Sequence, residues 1–516
     1  MLIIMTGLPG TGKSTVAAAL GRETGARVLS TDGIRAQSGR PGFSRSAKGG
    51  VYERMFALAE QALESGRSVI LDGTFYLERL RRAGAAVGRR AGATVFVVEV
   101  VSPVPVVKRR MDRRLRAARG PRPAAFMVHG FIKKSYEPVR GRHFVVDTAD
   151  PAAWRRHAAS LANSMRVVER QREVIDPLRR SRDMRLIQTH ISWVLLDGAH
   201  AFKIKKPVRF SFVDYRTLDR RRRFCRKEVE VNSRLSPGLY DGVVPVRERR
   251  GALSFGGPGR TVDYAVQMRE LPQASRLDRL VARDAAGTDD ILRIVRTLCA
   301  FHARTPAAAR KYGTARTIGE GFAHAYRLRP LIEKEFGAGR TLDRIKEKVE
   351  GFRLSRGGLF RERVRQGKIR QCHGDLRMSN IFLEGDEVRI FDAIEFNPAL
   401  AATDVAADVA YLAMDLRFCG RPGLADGFVD AYIACSGDEG LRGVAVFYMC
   451  YRALVRLLVE ALFIADPAIG AGRKRRARLA FRRYLELADE LAGRLGEAGS
   501  IAPGSTRPTR RRNPSA

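Results

Sequence analysis

The stretch Cys372 to Asp392, C-H-G-D-L-R-M-S-N-I-F-L-E-G-D-E-V-R-I-F-D, limits what this chain can become more than any other part of it. Asp375 and Asn380 stand five residues apart in a segment too polar for a strand. Ile381-Phe382-Leu383 is a short apolar run, Glu384 to Glu387 carries turn residues, and Val388 to Phe391 alternates up to Asp392. The pattern predicts loop, strand, turn, strand. Such a hairpin folds Asp392 back beside Asn380, so two carboxylates and an amide converge on one point.

Phosphoryl transfer needs that set. One carboxylate accepts the proton of an acceptor hydroxyl, and an amide with a second carboxylate holds Mg2+ against the nucleotide phosphates. Asp375 suits the first role, Asn380 and Asp392 the second; the alternative is a surface hairpin with scattered acids. H-x-D-x-x-x-x-N followed by a later Asp resembles the catalytic signature of the protein-kinase-like fold. The spelling H-G-D at His373 to Asp375, and D-A-I-E at Asp392 to Glu395, resembles the aminoglycoside phosphotransferase and choline kinase branch.

A second nucleotide motif opens the chain. Gly7-Leu8-Pro9-Gly10-Thr11-Gly12-Lys13-Ser14 matches G-x-x-x-x-G-K-S/T in full, after an apolar strand Leu2 to Thr6 and before a helical stretch from Thr15 to Glu23. Its backbone N–H groups wrap phosphates, Lys13 neutralises them, and Ser14 offers a hydroxyl to Mg2+. Asp72 ends a short β-branched run, where a second Mg2+ ligand belongs or where an Asp merely caps the next turn. Asp32 and Arg35 follow a strand over Ala26 to Leu29. They read as a base and an orienting cation for the acceptor, or equally as an N-cap and an exposed Arg. Thr94 to Val101 reads as a central strand from its apolar run. On the basic helix from Val104 to Arg119, Arg109, Arg110, Arg113 and Arg114 form either a lid over the triphosphate or a solvated face.

Gly7 to Thr15, S-T-D-x-I-R at Ser30 to Arg35, V-I-L-D-G-T-F at Val69 to Phe75 and R-M-D-R-R at Arg110 to Arg114 resemble the small P-loop kinases that include zeta-toxin-like and polynucleotide-kinase-like ATPases. The resemblance implies that Asp32 is the acceptor base and that Arg110 and Arg114 hold phosphates.

Asp147 to Pro151 is a break, followed by a basic helix from Trp154 to Arg172, and the boundary between units is placed near residue 165. Thr189 to Leu196, Asp197-Gly198 and Ala199 to Lys205 predict a hairpin with a D-G turn. Period two puts Lys203 and Lys205 on one face and Lys206 on the other. One of the first two is expected to reach the phosphates, Lys203 in preference to Lys205, with Glu228, on a helix from Leu218 to Leu235, as the ion-pair partner; a basic edge strand beside a charged helix is the alternative. Val262 to Leu271 fits the last strand before a hinge that meets adenine. Asp289 to Thr305 and Ile318 to Phe336 read as helices, with His302 and His324 as core or surface residues. Glu395 reads as an aid to Mg2+ or substrate, and Asp404 and Asp408 as charges that stabilise a helix N-terminus. Residues from about 180 to 495 resemble aminoglycoside phosphotransferase-like proteins of bacteria that are often joined to a P-loop kinase, on T-H-I-S-W-V-L-L, K-I-K-K-P-V-R-F and C-H-G-D-L-R-M-S-N-I.

Composition narrows the setting. With 516 residues, 45% hydrophobic and 29% charged, the chain is globular. The formal net charge is +39, but Arg is spread along the whole chain, which reads as compositional habit; nucleic acid is not the favoured partner. Six cysteines without C-x-x-C read as buried thiols in a reducing compartment. Arg452, Arg456 and Glu460 interrupt the apolar run Val444 to Ala465, so it reads as a core helix and not a membrane span. The expectation is a cytoplasmic, bifunctional, ATP- and Mg2+-dependent kinase whose two units move the γ-phosphate of ATP to hydroxyl groups of small molecules. Residues 1–165 are expected to form an α/β P-loop unit with a parallel sheet. Residues 166–499 are expected to form an α+β bilobal kinase-like unit, and 500–516 a disordered basic tail. Two other readings stay open: a nucleic-acid 5′-end kinase in the P-loop half, or one half binding nucleotide only to regulate the other.

Overall fold

The computed structural model describes residues 1–38, 45–117, 125–141, 143–189, 191–210, 213–465 and 470–497. The basic tail, His190 and the side chains of Arg114 and His324 lie outside the described residues. Five parallel strands, β1 (Leu2–Thr6), β2 (Arg27–Ser30), β3 (Val69–Asp72), β4 (Val95–Val101) and β5 (Phe144–Asp147), form the first sheet in the order β2-β3-β1-β4-β5. Helices cover both faces, which is why β1 and β3 are buried along their whole length. Ile3 and Met5 share a core with helices Lys13–Thr24 and Pro151–Arg170. Leu2 and Ile4, on the opposite face, pack with helices Arg45–Glu64 and Glu78–Arg90. The middle strand is β1; β4, expected to be central, lies between β1 and β5.

The break at Asp147 to Pro151 is a turn into a helix. Asp150 caps that helix, accepting from Ala152 N at 2.7 Å and Ala153 N at 3.2 Å. Pro151 occupies the first turn, where its missing N–H costs nothing. The helix runs past residue 165 to Arg170, continues as a π-helical turn Gln171–Ile175 and ends in Asp176–Ser181. Trp154, Leu161 and Met165 pack on the first sheet, while Val174, Ile175 and Leu178 pack on the second. At the seam, buried Asn163 donates to Arg209 O at 2.6 Å and accepts from Arg209 N at 2.9 Å.

The second sheet is antiparallel. Its strands β6 (Arg185–Gln188), β7 (Ser192–Leu196) and β8 (His200–Lys205) precede a small ribbon, β9 (Arg209–Phe210) with β10 (Val213–Asp214). Then come β11 (Tyr240–Arg249), β12 (Ala252–Phe255) and β13 (Arg260–Arg269). The order is β12-β11-β13-β8-β7-β6. The D-G turn between β7 and β8 is present: the Asp197 carboxylate accepts from Ala199 N and His200 N. Helix Leu218–Asn232 lies against β11 and β13. Beyond β13 the chain is mostly helical, with one core shared by Leu298, Tyr411, Leu454 and Leu491. Only short pairs interrupt it: β14 (Ile369–Gln371) with β17 (Ala402–Asp404), and β15 (Ile381–Glu384) with β16 (Glu387–Ile390). The α/β class of the first unit, with its parallel sheet, and the α+β class of the second, an antiparallel sheet followed by helices, are as expected.

Two local expectations need correction. Ile318 to Phe336 is two helices, Ala315–Tyr326 and Arg329–Phe336, because Pro330 lacks the N–H to continue a helix and sits in the first turn of a new one. Of the six cysteines, Cys225, Cys372 and Cys450 are buried, but Cys419 and Cys435 are exposed. Among the described residues no helix is long and apolar enough to cross a membrane.

Buried Arg363 ties three segments together. Its Nε donates to Asp404 at 2.8 Å and its Nη1 to Asp438 at 2.5 Å. Arg363→Met strands both buried carboxylates and lowers the unfolding free energy by about 3–5 kcal/mol, read by urea denaturation; an unchanged midpoint contradicts this.

Candidate active sites

The residues Gly7 to Gly12 form the loop between β1 and helix Lys13–Thr24, and Lys13, Ser14 and Thr15 open that helix. Gly7 has φ +138°, and a Cβ there would lie 2.3 Å from the Val100 carbonyl oxygen. Gly12, at φ +96°, turns the backbone into the helix. The Thr11 hydroxyl and the Lys13 ammonium both donate to Leu8 O at 2.9 Å. Asp72, at the end of β3, accepts from the Ser14 hydroxyl. Burial pushes the Asp72 carboxyl up, against the pull of Ser14 and Lys13. Ser14 and Asp72 present oxygen donors, the kind Mg2+ takes.

A cavity opens on each side of this loop. The smaller, about 540 Å³, is lined by Gly10, Gly12, Thr15, Arg109, Arg110 and Trp154 among others. Arg110 donates to the Thr148 hydroxyl at 2.8 Å and to Thr148 O at 2.5 Å, and the Thr148 hydroxyl donates to Thr11 O at 2.6 Å. Those bonds fasten helix Val104–Ala117 to the P-loop and to the turn after β5. Arg114 lies on the same helix. The larger cavity, about 1270 Å³, holds Lys13, Ser14 and Asp72 on one wall and Asp32 and Arg35 on another. Asp32 and Arg35 form an ion pair at 2.9 Å on helix Thr31–Ser38, with the Asp32 side chain 89% exposed. The helix is capped by Ser30, whose hydroxyl accepts from Gly33 N at 3.0 Å, not by Asp32.

In the second unit the hairpin β15–β16 does what the pattern predicts. Phe391 N donates to Asn380 O at 3.1 Å, placing Asp392 beside Asn380. The Asn380 amide nitrogen donates to Asp375 O at 3.0 Å, and its oxygen accepts from the Ser379 hydroxyl at 3.4 Å. Asp392 adopts a left-handed backbone, φ +66°, a conformation Asp tolerates and active sites reuse. Its carboxylate meets Lys203 at 2.5 Å, and Lys203 meets Glu228 at 2.7 Å. Burial pushes the Asp392 carboxyl up, but Lys203 outweighs it and holds the group below its ordinary range. For Asp375 burial again acts upward, and Arg377 and Arg456 outweigh it. Asp375, Asn380, Asp392, Lys203 and Glu228 are therefore one cluster. The Asn380 amide oxygen and the Asp392 carboxylate suit Mg2+ as hard donors.

The sequence reading missed how several neighbouring residues pair. Lys205 joins Glu228 at 2.7 Å and Glu395 at 2.5 Å, and Glu395 also accepts from the Tyr215 hydroxyl at 2.9 Å. Glu395 is thus tied into the ionic chain. Asp404 does cap helix Val405–Phe418, accepting from Ala406 N at 2.9 Å. Asp408 instead reaches the H-G-D loop, accepting from His373 N at 2.6 Å, Gly374 N at 2.9 Å and His302 at 3.4 Å. The signal was available: a carboxylate within so apolar a helix must be buried against donors. His373 pins both halves of the motif. Its Nδ1 accepts from Asp375 N at 3.2 Å, so its Nε2–H donates to Phe391 O at 2.9 Å.

Burial pushes the Asp408 carboxyl up, but its bond to His302 and the charges around it hold it below its ordinary range. A depressed carboxyl stabilises the fold above its unfolded pKa of about 4 and loses that contribution as pH falls further. Asp408→Ala leaves two buried N–H groups unpaired and costs about 3 kcal/mol at pH 7. It also flattens the decline of stability below about pH 4. Equal acid limbs for both proteins in chemical denaturation contradict this.

Residues 2–139 match the family model described as an AAA domain. An uncharacterized protein of Mycobacterium tuberculosis (strain H37Rv) is 35% identical over 282 residues, 53% of this chain and 54% of that protein. The chain spans about half the length of the curated relatives it matches. A UPF0200 protein of Aeropyrum pernix is 32% identical over 133 residues, 23% of this chain and 66% of that protein. Among solved structures, the APS kinase of Mycobacterium tuberculosis aligns at 23% identity with a TM-score of 0.27, over 31% of this chain and 94% of its own. A choline/ethanolamine kinase family protein from Mesorhizobium loti aligns at 14% identity with a TM-score of 0.35, over 60% of this chain and 92% of its own. The family match and the sheet order together give the N-terminal part of this chain an AAA-type P-loop domain.

Proposed function

We propose that this chain is an ATP-dependent phosphotransferase with two catalytic units, residues 1–165 and 166–499, each moving the γ-phosphate of ATP to a hydroxyl of a small molecule. One observation carries the reading. On two unrelated sheets, a lysine stands beside oxygen donors suited to Mg2+, with a second carboxylate open to solvent next to them. In the first unit Gly7, Gly10, Thr11, Gly12 and Thr15 supply the phosphate cradle and Lys13 the charge. Ser14 and Asp72 hold Mg2+, while Asp32 accepts the acceptor proton and Arg35 orients it. Arg110 and Arg114 close over the phosphates. In the second unit Lys203, fixed by Glu228, binds phosphate, Asn380 and Asp392 hold Mg2+, and Asp375 is the base. Bound Mg2+ neutralises charge on the phosphates. The lysine that now neutralises Asp392 is the group that nucleotide phosphates would engage on entry.

The test follows transfer of labelled γ-phosphate from ATP to a metabolite extract by the full chain. Lys13→Ala and Asp375→Asn each remove a different set of labelled products, the second by about 100-fold or more, and the double variant removes both. If either single variant abolishes all transfer, the two-enzyme reading is wrong.

A further inference from the structure

Lys203 and Glu228 surround Asp392, but a different set surrounds Asp375. Arg377 meets the Asp375 carboxylate at 3.2 Å. Arg456, from helix Arg442–Ala465, is the next cation to act on it. Its contacts are long for a charged group: Nε to the Tyr484 hydroxyl at 3.4 Å and Nη2 to Glu460 at 3.3 Å. Glu460 is shared, because Arg473 also meets it at 3.1 Å. Arg452, one turn earlier, lies 4.6 Å over the ring of Tyr411, whose hydroxyl bonds Asp375. Asp415 is engaged by Met378 N at 3.0 Å. Four guanidinium groups thus stand against Asp415, Glu460 and Asp408, the last acted on by Arg452, besides Asp375 itself. Arg377 and Arg456 stay 25% and 15% exposed, and Asp375 28%, so each is partly open to solvent.

We propose that the kinase-like unit phosphorylates an anionic alcohol, a hydroxyl compound whose phosphate or carboxylate group is taken by Arg456 and Arg377. This deepens the reading of Asp375 given above and rests on it. A guanidinium with only long contacts keeps its planar fork for an oxyanion, and a fork binds such groups in two-point fashion. An aminated or quaternary ammonium alcohol would instead bring a cation against these groups. In the reaction, the acceptor hydroxyl passes its proton to Asp375 and its oxygen bonds to the γ-phosphorus. The bond from that phosphorus to the β–γ bridging oxygen breaks, and ADP leaves with the electron pair.

The experiment uses the full chain carrying Lys13→Ala, saturated with Mg2+ and the non-hydrolysable analogue AMPPNP. Inorganic phosphate and tetramethylammonium are then titrated calorimetrically as probes. The expected result is phosphate binding that weakens about tenfold or more in Arg456→Met, with Arg456→Lys in between and no response to tetramethylammonium. Melting temperatures of both variants control for folding. Phosphate binding that ignores Arg456→Met, or binding of tetramethylammonium, overturns the proposal while leaving the kinase reading intact. AMPPNP binding that is indifferent to Lys203→Met overturns both.

Discussion

The ionic chain Asp392–Lys203–Glu228–Lys205–Glu395 joins the second sheet to the hairpin of the helical lobe. It runs through side chains that are almost wholly buried in Glu228, Lys205 and Glu395. Breaking one link leaves a charge without a partner in low dielectric, which is far costlier than the net worth of the pair. The chain is therefore better understood as a device for orientation than as a source of stability. Two strand lysines, separated by one residue, point the same way and share one glutamate. Asp392 and Glu395, three apart after the hairpin, close the chain from the other lobe. Neutral hydrogen bonds hold the same register. Ile390 N and O both bond the Ser236 hydroxyl at 2.8 Å, and Ala393 N donates to Asn232 at 2.8 Å. Asn232 in turn bonds Glu228 O at 2.9 Å. The helix that fixes Glu228 thus also fixes the residues flanking Asp392.

The two units are not beads on a flexible string. The helix that starts at Asp150 lines the smaller P-loop cavity with Trp154 and ends in the core of the antiparallel sheet with Ile175 and Leu178. Along the way Arg166 donates to Glu23 O, at the far end of the P-loop helix, at 2.6 Å and to Pro207 O, just after Lys206, at 3.0 Å. Arg166 thus bridges the end of the P-loop helix and a residue just after the strand carrying Lys203 and Lys205. The physical link is a run of helix and hydrogen bonds rather than a linker.

Motif chemistry and periodicity made much of this legible. The P-loop lies between a buried strand and a helix as its glycines demand, and the H-G-D hairpin folds Asp392 onto Asn380. Lys203 finds Glu228 because period two and helix spacing leave those two few alternatives. What escaped reading depends on long-range partners. Asp408 looked like a helix-end charge; two of its donors come with the return of the H-G-D loop over that helix, and the third, His302, from helix Thr288–Arg304. Lys205 and Glu395 lie 190 residues apart, and nothing in either neighbourhood names the other. The break near Pro330 was readable from proline chemistry, whereas the exposure of Cys419 and Cys435 depends on which helix faces remain uncovered.

The account stands or falls on whether the carboxylates and amide of the second unit hold a metal ion with nucleotide. Electron paramagnetic resonance of Mn2+ bound to the full chain with AMPPNP, in a Lys13→Ala background, reads that site directly. The account predicts a bound-Mn2+ signal that disappears in Asp392→Asn and is strongly reduced in Asn380→Ala. A signal of equal strength in all three proteins would contradict it.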